Sequence, residues 1–173
     1  MLGIATTMAL AATGAFRSAA PAAWRAPGVQ CSAPALRGHS VDVTADDMGQ
    51  GMMGGGYGMR MMRLAAHPAV VPSGVTSLRV FNTGVLTHEV IVLPLPPGQG
   101  IGERPTGPDG KIDEAGSLGE ASRSCGAGAG DGIASDAMAW TTLALQPGRY
   151  ELVCNFPGHY MAGMYAELDV TSR

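Results

Sequence analysis

The sequence predicts an all-β chain: an antiparallel sandwich of seven or eight short strands. Three observations carry this. Apolar residues recur with period two over short runs, the spacing of a half-buried strand. Glycine (26) and proline (12) fall largely between those runs, where they punctuate turns. Hydrophobic residues make up 46% of the 173 residues and charged ones 14%, enough apolar material for a core and too little charge for a disordered polymer.

The elements follow in order. Residues 1–40 read as a leader and tail, and residues 41–173 as the folded domain. Leu2 to Phe16 is apolar or small and is followed by Ala20-Pro21-Ala22, the pattern of an export signal with a cleavage region. Retained rather than cleaved, the same stretch would be a membrane anchor. Charge divides at the same place. Arg17, Arg25 and Arg37 precede the first acid, Asp42, and from there 14 acids face 8 bases. The expected location is outside the cytoplasm, periplasmic or extracellular. Net charge is −3 with no basic block, which argues against a nucleic-acid partner.

Val41 to Thr44 alternates and reads as a strand. A Gly/Met-rich segment follows and contains Met48, Met52, Met53, Met59, Met61 and Met62. Gly54-Gly55-Gly56 within it cannot hold a helix or strand interior. Met62 to Ala66 and Thr76 to Phe81 read as strands separated by a turn near Pro72 and Gly74. Asn82-Thr83-Gly84 is a turn. His88 to Leu93 reads as a buried strand, stopped by Pro94, Pro96 and Pro97. Pro94 to Met138 holds eleven glycines and reads as a long loop insertion, with a short helix expected around Asp113 to Ser122. Trp140 to Leu145, Tyr150 to Cys154 and Tyr165 to Val170 complete the strands.

Chemistry concentrates between the last two strands. Cys154, His159 and Met164 stand in a Cys-x4-His-x4-Met pattern. Steps of five diverge by ~140° on a helix and fall on opposite faces of a strand, so only a loop lets the three converge. Pro157-Gly158 and Ala162-Gly163 supply that loop. Zinc has little use for a thioether, and haem attachment needs a Cys-x-x-Cys-His run that is absent. A thiolate, two imidazoles and a weak axial thioether are the donor set of an electron-transfer copper. A second histidine is therefore required, from His39, His67 or His88. His88 is chosen because it follows a turn and opens an apolar strand. The expected ligands are His88, Cys154, His159 and Met164 around one copper ion. Asn82 and Asn155 are candidates for orienting the imidazoles.

With Cys154 assigned to metal, Cys31 and Cys125 remain, either as a disulfide or as two free thiols. The methionines at 48, 52, 53, 59, 61 and 62 allow a competing reading, a second Cu(I) site in a copper storage or delivery protein. Catalysis is disfavoured. There is no His-x-His pair, no second cysteine in the copper loop, no phosphate loop and no nucleophile–base pair, so no small-molecule substrate is expected.

Gly148 through Met164 resembles the copper loop of the cupredoxins, the type 1 blue copper proteins. Its spacing is similar to the sulfocyanin and rusticyanin loops more than to that of plastocyanin, whose first gap is shorter. Asn82-x-Gly84 with His88-Glu89-Val90 resembles the family's first-histidine strand. The resemblance spans Val41 to Val170, apart from segments 48–62 and 94–138. It implies a Greek-key sandwich and one type 1 copper. It also implies single-electron shuttling between redox proteins, which would dock at the apolar loop around His159.

Overall fold

The computed structural model describes residues 31–47 and 62–172. Among these residues nine strands form two sheets: β1 (His39–Asp46), β2 (Arg63–His67), β3 (Val70–Pro72), β4 (Gly74–Asn82), β5 (Val90–Pro94), β6 (Gly119–Ala121), β7 (Met138–Leu145), β8 (Gly148–Val153) and β9 (Tyr165–Thr171). One sheet runs β2-β1-β4-β7 and the other β3-β9-β8-β5-β6.

Alternation sets the faces. In β1, Val41, Val43 and Ala45 are buried between the sheets, while Asp42 and Thr44 lie on the outer side. Asp42 meets its register partner Arg79 there through two hydrogen bonds of 2.6 and 2.8 Å. Leu78 and Val80 of β4, Val90 and Val92 of β5, Leu152 of β8 and Leu168 of β9 fill the same layer. Each such fully buried side chain is worth about 1.5–3 kcal/mol in transfer free energy.

The predicted sandwich is present, with differences. The sheets are mixed rather than purely antiparallel, because β1 runs parallel to β4 and β3 parallel to β9. The turn expected near Pro72 holds the three-residue edge strand β3, paired to β9. The helix expected around Asp113 to Ser122 is absent, and β6 lies there against β5. Its turn residues Gly116 and Gly119 both take positive φ, which a helix interior does not allow.

The 94–138 excursion does more than connect. It covers the outer face of the second sheet. Ile112 from the excursion packs with Ile91 and Leu93 of β5, Val153 of β8 and Tyr160 in a second apolar cluster. Strands β5 and β8 are thus buried on both faces, which explains why Val90 to Leu93 is an unbroken apolar run. Glu151 of β8 also lies under this cover and is fully buried. Arg104 donates to it at 2.6 Å, Gly102 N–H at 2.6 Å and Tyr160 O–H at 2.9 Å. A disulfide joins Cys31 to Cys125, with Cα atoms 5.2 Å apart, and fixes residues ahead of β1 to the same excursion.

Candidate metal centre

The topology gathers several strand ends in one place. The C-terminal ends of the parallel pair β1 and β4 lie together, as do the end of β8 and the starts of its antiparallel neighbours β5 and β9. The segments between these ends carry the predicted ligands.

His88 does not open β5 but precedes it. Its backbone forms an isolated bridge with Ile133: His88 N–H donates to Ile133 at 3.1 Å and Ile133 N–H donates back at 2.6 Å. The turn before it is built by Asn82, whose side-chain amide donates to the carbonyls of Leu86 (2.7 Å) and Ile133 (2.8 Å) and accepts from Gly84 N–H (2.9 Å). Asn82 therefore fixes the loop that carries His88 rather than the imidazole itself. Two glycines let these segments close. A Cβ on Gly84 would collide with Asp47, and one on Gly132, where φ is +105°, would strike Thr87 and the Phe156 ring.

Cys154 follows β8 and starts a tight loop. Met164 accepts from Cys154 N–H at 3.0 Å, and Met164 N–H donates to His159 at 3.1 Å. The loop backbone thus holds Met164 against both predicted ligands, and Met164 is fully buried in the same cluster as Cys154. The Asn155 side chain makes its hydrogen bonds to the excursion and not to an imidazole. It exchanges hydrogen bonds with the Ile112 backbone at 2.7 and 3.1 Å and donates to Glu114 at 2.6 Å, pinning the excursion to the loop.

His88, Cys154 and His159 come together. Their donor atoms all lie within 4.8 Å of one another, the one such His/Cys/Asp/Glu group among the described residues. His88 Nδ1 is 3.3 Å from His159 Nδ1, and Cys154 Sγ is 3.3 Å from His159 Nδ1 and 3.9 Å from His88 Nδ1. His39 and His67 lie in β1 and at the end of β2, outside the group. Of the methionine-rich segment only Met62 is among the described residues, and it packs against the core; Met48, Met52, Met53, Met59 and Met61 lie outside them.

Sequence reasoning missed Asp47. It follows β1 directly and is buried. Its carboxylate accepts from Val85 N–H at 2.8 Å and Leu86 N–H at 2.6 Å, and Oδ2 stands 3.5 Å from His88 Nε2. The only signal was an acid at the mouth of a Gly/Met stretch, which carries no periodicity to place it.

Burial governs the charge state. It pushes the Cys154 thiol up to about 12, against a smaller opposing pull from backbone hydrogen bonds. It also lowers both imidazoles below 6.5. The neighbouring His159 lowers His88 further, and Asp47 partly offsets the effect at each ring. For Asp47, burial raises the carboxyl, and the Val85 and Leu86 N–H groups and the His88 imidazole together more than reverse it, leaving it below 3.8. At neutral pH the site without an ion is a thiol between two neutral imidazoles.

These residues fit a copper ion. Bonds of about 2.0–2.3 Å, the range of imidazole and thiolate donors, set such donors roughly 3.5 Å apart around one centre. The observed separations of 3.3, 3.3 and 3.9 Å match that scale. One soft sulfur and two imidazole nitrogens, with a thioether residue held alongside, are the donor chemistry of a type 1 site.

No family model matches the chain, and no curated protein matches it. Solved structures do. Reduced auracyanin from Roseiflexus castenholzii is 16% identical, with 78% of this chain and 98% of that chain covered and a TM-score of 0.48. Auracyanin A from Chloroflexus aurantiacus, described as a blue copper protein, is 15% identical over 76% and 98%, with a TM-score of 0.45. Rusticyanin from Thiobacillus ferrooxidans is 19% identical over 78% and 79%, with a TM-score of 0.45.

Proposed function

We propose that this chain is a type 1 blue copper protein of the cupredoxin kind. In this reading it passes single electrons between redox proteins outside the cytoplasm and performs no catalysis. One observation carries the reading: Cys154 Sγ, His88 Nδ1 and His159 Nδ1 converge from two distant stretches of chain within 4.8 Å. A copper ion held by them supplies a one-electron couple, and the protein's work is to hold the donors still. Cys154 is the thiolate, His88 the buried imidazole, His159 the imidazole nearest solvent and Met164 the weak axial donor.

The surface supports a docking role for the His159 edge. His159 is partly exposed, and its ring lies 5.7 Å from Phe156. Met161, two residues on, is 64% exposed, and Val85 and Leu86, whose amides are held by the carboxylate beside His88, are 62% and 44% exposed. Apolar side chains left in water around a redox centre suit brief contact with a partner. Tyr160 is no part of this rim: it is buried and turned to Glu151. The Cys31–Cys125 disulfide favours an oxidising compartment. No helix among the described residues is long and apolar enough to cross a membrane.

The test is spectroscopic. The copper-loaded, oxidised protein should bind one ion per chain, absorb strongly in the visible and show a reversible one-electron wave. Cys154→Ser should lose the band. A serine variant that kept its colour would overturn the assignment. A second bound equivalent, lost on deleting residues 48–62, would favour storage or delivery instead.

A further inference from the structure

His88 Nε2 is a buried ring nitrogen with no hydrogen-bond partner. Its ring is fully buried, so water does not satisfy it. The group facing it is the Asp47 carboxylate, with Oδ2 at 3.5 Å and its side chain only 2% exposed. At that distance the two groups face each other without a made hydrogen bond. Asp47 itself is held fast: its two oxygens take the Val85 and Leu86 amides, and Gly84 leaves the space it occupies. A buried carboxylate fixed by two N–H donors and aimed at a buried imidazole is a built arrangement rather than a chance approach.

We propose that Asp47 is a positioning residue for the copper site. It selects the His88 tautomer with the proton on Nε2, which leaves Nδ1 bare for the ion, and it sets a fixed negative charge behind that ligand. The proposal rests on the copper reading above. The physical case is direct. Histidine ligands commonly donate their second N–H to a carboxylate, which fixes the ring and raises its donor strength. A cation on Nδ1 makes Nε2–H a stronger donor, so the Asp47 contact gains when the site fills. A buried negative charge on that side also favours the higher oxidation state and so lowers the reduction potential.

Substitution by asparagine is informative because Asp47 accepts on both oxygens. Either orientation of the amide in Asp47→Asn sets an N–H₂ group against a backbone N–H or against the His88 nitrogen. Asp47→Ala removes the carboxylate outright. The control is Asp42→Asn, which deletes one negative charge from the outer face of β1, the strand just ahead of Asp47, where it pairs with Arg79.

The experiment has two arms. In the first, imidazole ¹⁵N shifts of the apo wild type report which His88 nitrogen carries the proton. Nε2–H is expected, and a proton on Nδ1 overturns the proposal whatever the variants do. In the second, Cu(II) affinity, visible spectrum and midpoint potential are measured for the wild type and the three variants. Asp47→Asn and Asp47→Ala should keep a visible band, lose about 10–100-fold in copper affinity, the range for such partners, and shift to higher potential. Asp42→Asn should match the wild type. Asp47 variants with wild-type affinity and potential would overturn the proposal while leaving the copper site intact. A wild type that takes up no copper would sink the functional reading instead, and the tautomer measurement would still stand.

Discussion

At the scale of single residues the site is a set of protonation states fixed by burial. The Cys154 thiol is raised by burial from 9.0 to about 12, so uptake of copper at neutral pH must expel its proton. Both imidazoles are lowered from 6.5 and stay neutral there. Copper binding should therefore release about one proton per ion between pH 7 and 9. More should be released in acid, as calorimetry in buffers of different ionisation enthalpy would show. The same shifts shape the stability of the apoprotein. A histidine lowered in the fold gives stability that is present above 6.5 and lost as pH falls through its folded value. A thiol raised in the fold gives stability that is present below 9.0 and lost as pH rises towards about 12. The contribution of these three groups should therefore be greatest between pH 6.5 and 9.0 in denaturant titrations. Met164→Leu nearly conserves volume and should cost under about 1.5 kcal/mol. It should retain copper and raise the potential, because the weak axial donor is lost. The Cys-x4-His-x4-Met run was legible because its chemistry is local: three soft or borderline donors in one turn-rich stretch. Asp47 was not, because its role depends on a contact across the end of the sandwich with a ring 41 residues away.

At the scale of elements, the excursion between β5 and β7 acts as a cover. Its anchor is the buried Glu151, held by Arg104, Gly102 and Tyr160. Removing one partner of a buried pair costs about 3–5 kcal/mol. Arg104→Ala should cost about 3 kcal/mol, since two donors to Glu151 remain, and urea unfolding would read it. Gly132→Ala combines a positive φ of 105° with overlap against Thr87 and Phe156. It should destabilise by about 1–3 kcal/mol and weaken copper binding together, since Thr87 precedes His88 in the chain and the Phe156 ring lies beside His159. The strands themselves were readable from period-two alternation. Their pairing was not. A strand of the β1 type buries Val41, Val43 and Ala45 in the same way whether its neighbour runs with it or against it, so the parallel β1–β4 pair left no mark in the pattern. The cover was read as a loop because its order comes from Asn155, Glu151 and a disulfide rather than from its own apolar rhythm.

At the scale of the whole molecule, the disulfide closes a span of 94 residues that includes β1 to β6. Replacing both Cys31 and Cys125 with serine should lower stability by about 2–4 kcal/mol, measured as a fall in Tm, with the visible band retained. Retention matters, because the bridge lies outside the ligand set and its loss should loosen the chain without moving the donors. The strand that delivers Cys154 has an unusual position. Strand β8 is hydrogen-bonded on both edges, to β5 and β9, and packed on both faces, by the inter-sheet core and by the excursion. Interiors packed in this way barely yield to load. On the copper reading, the sulfur then has little room to move when an electron arrives or leaves. A cage that relaxes so little would impose little reorganisation energy on the transfer, and a layer of glycine-rich chain thrown across the back of a sheet would then be a device for speed.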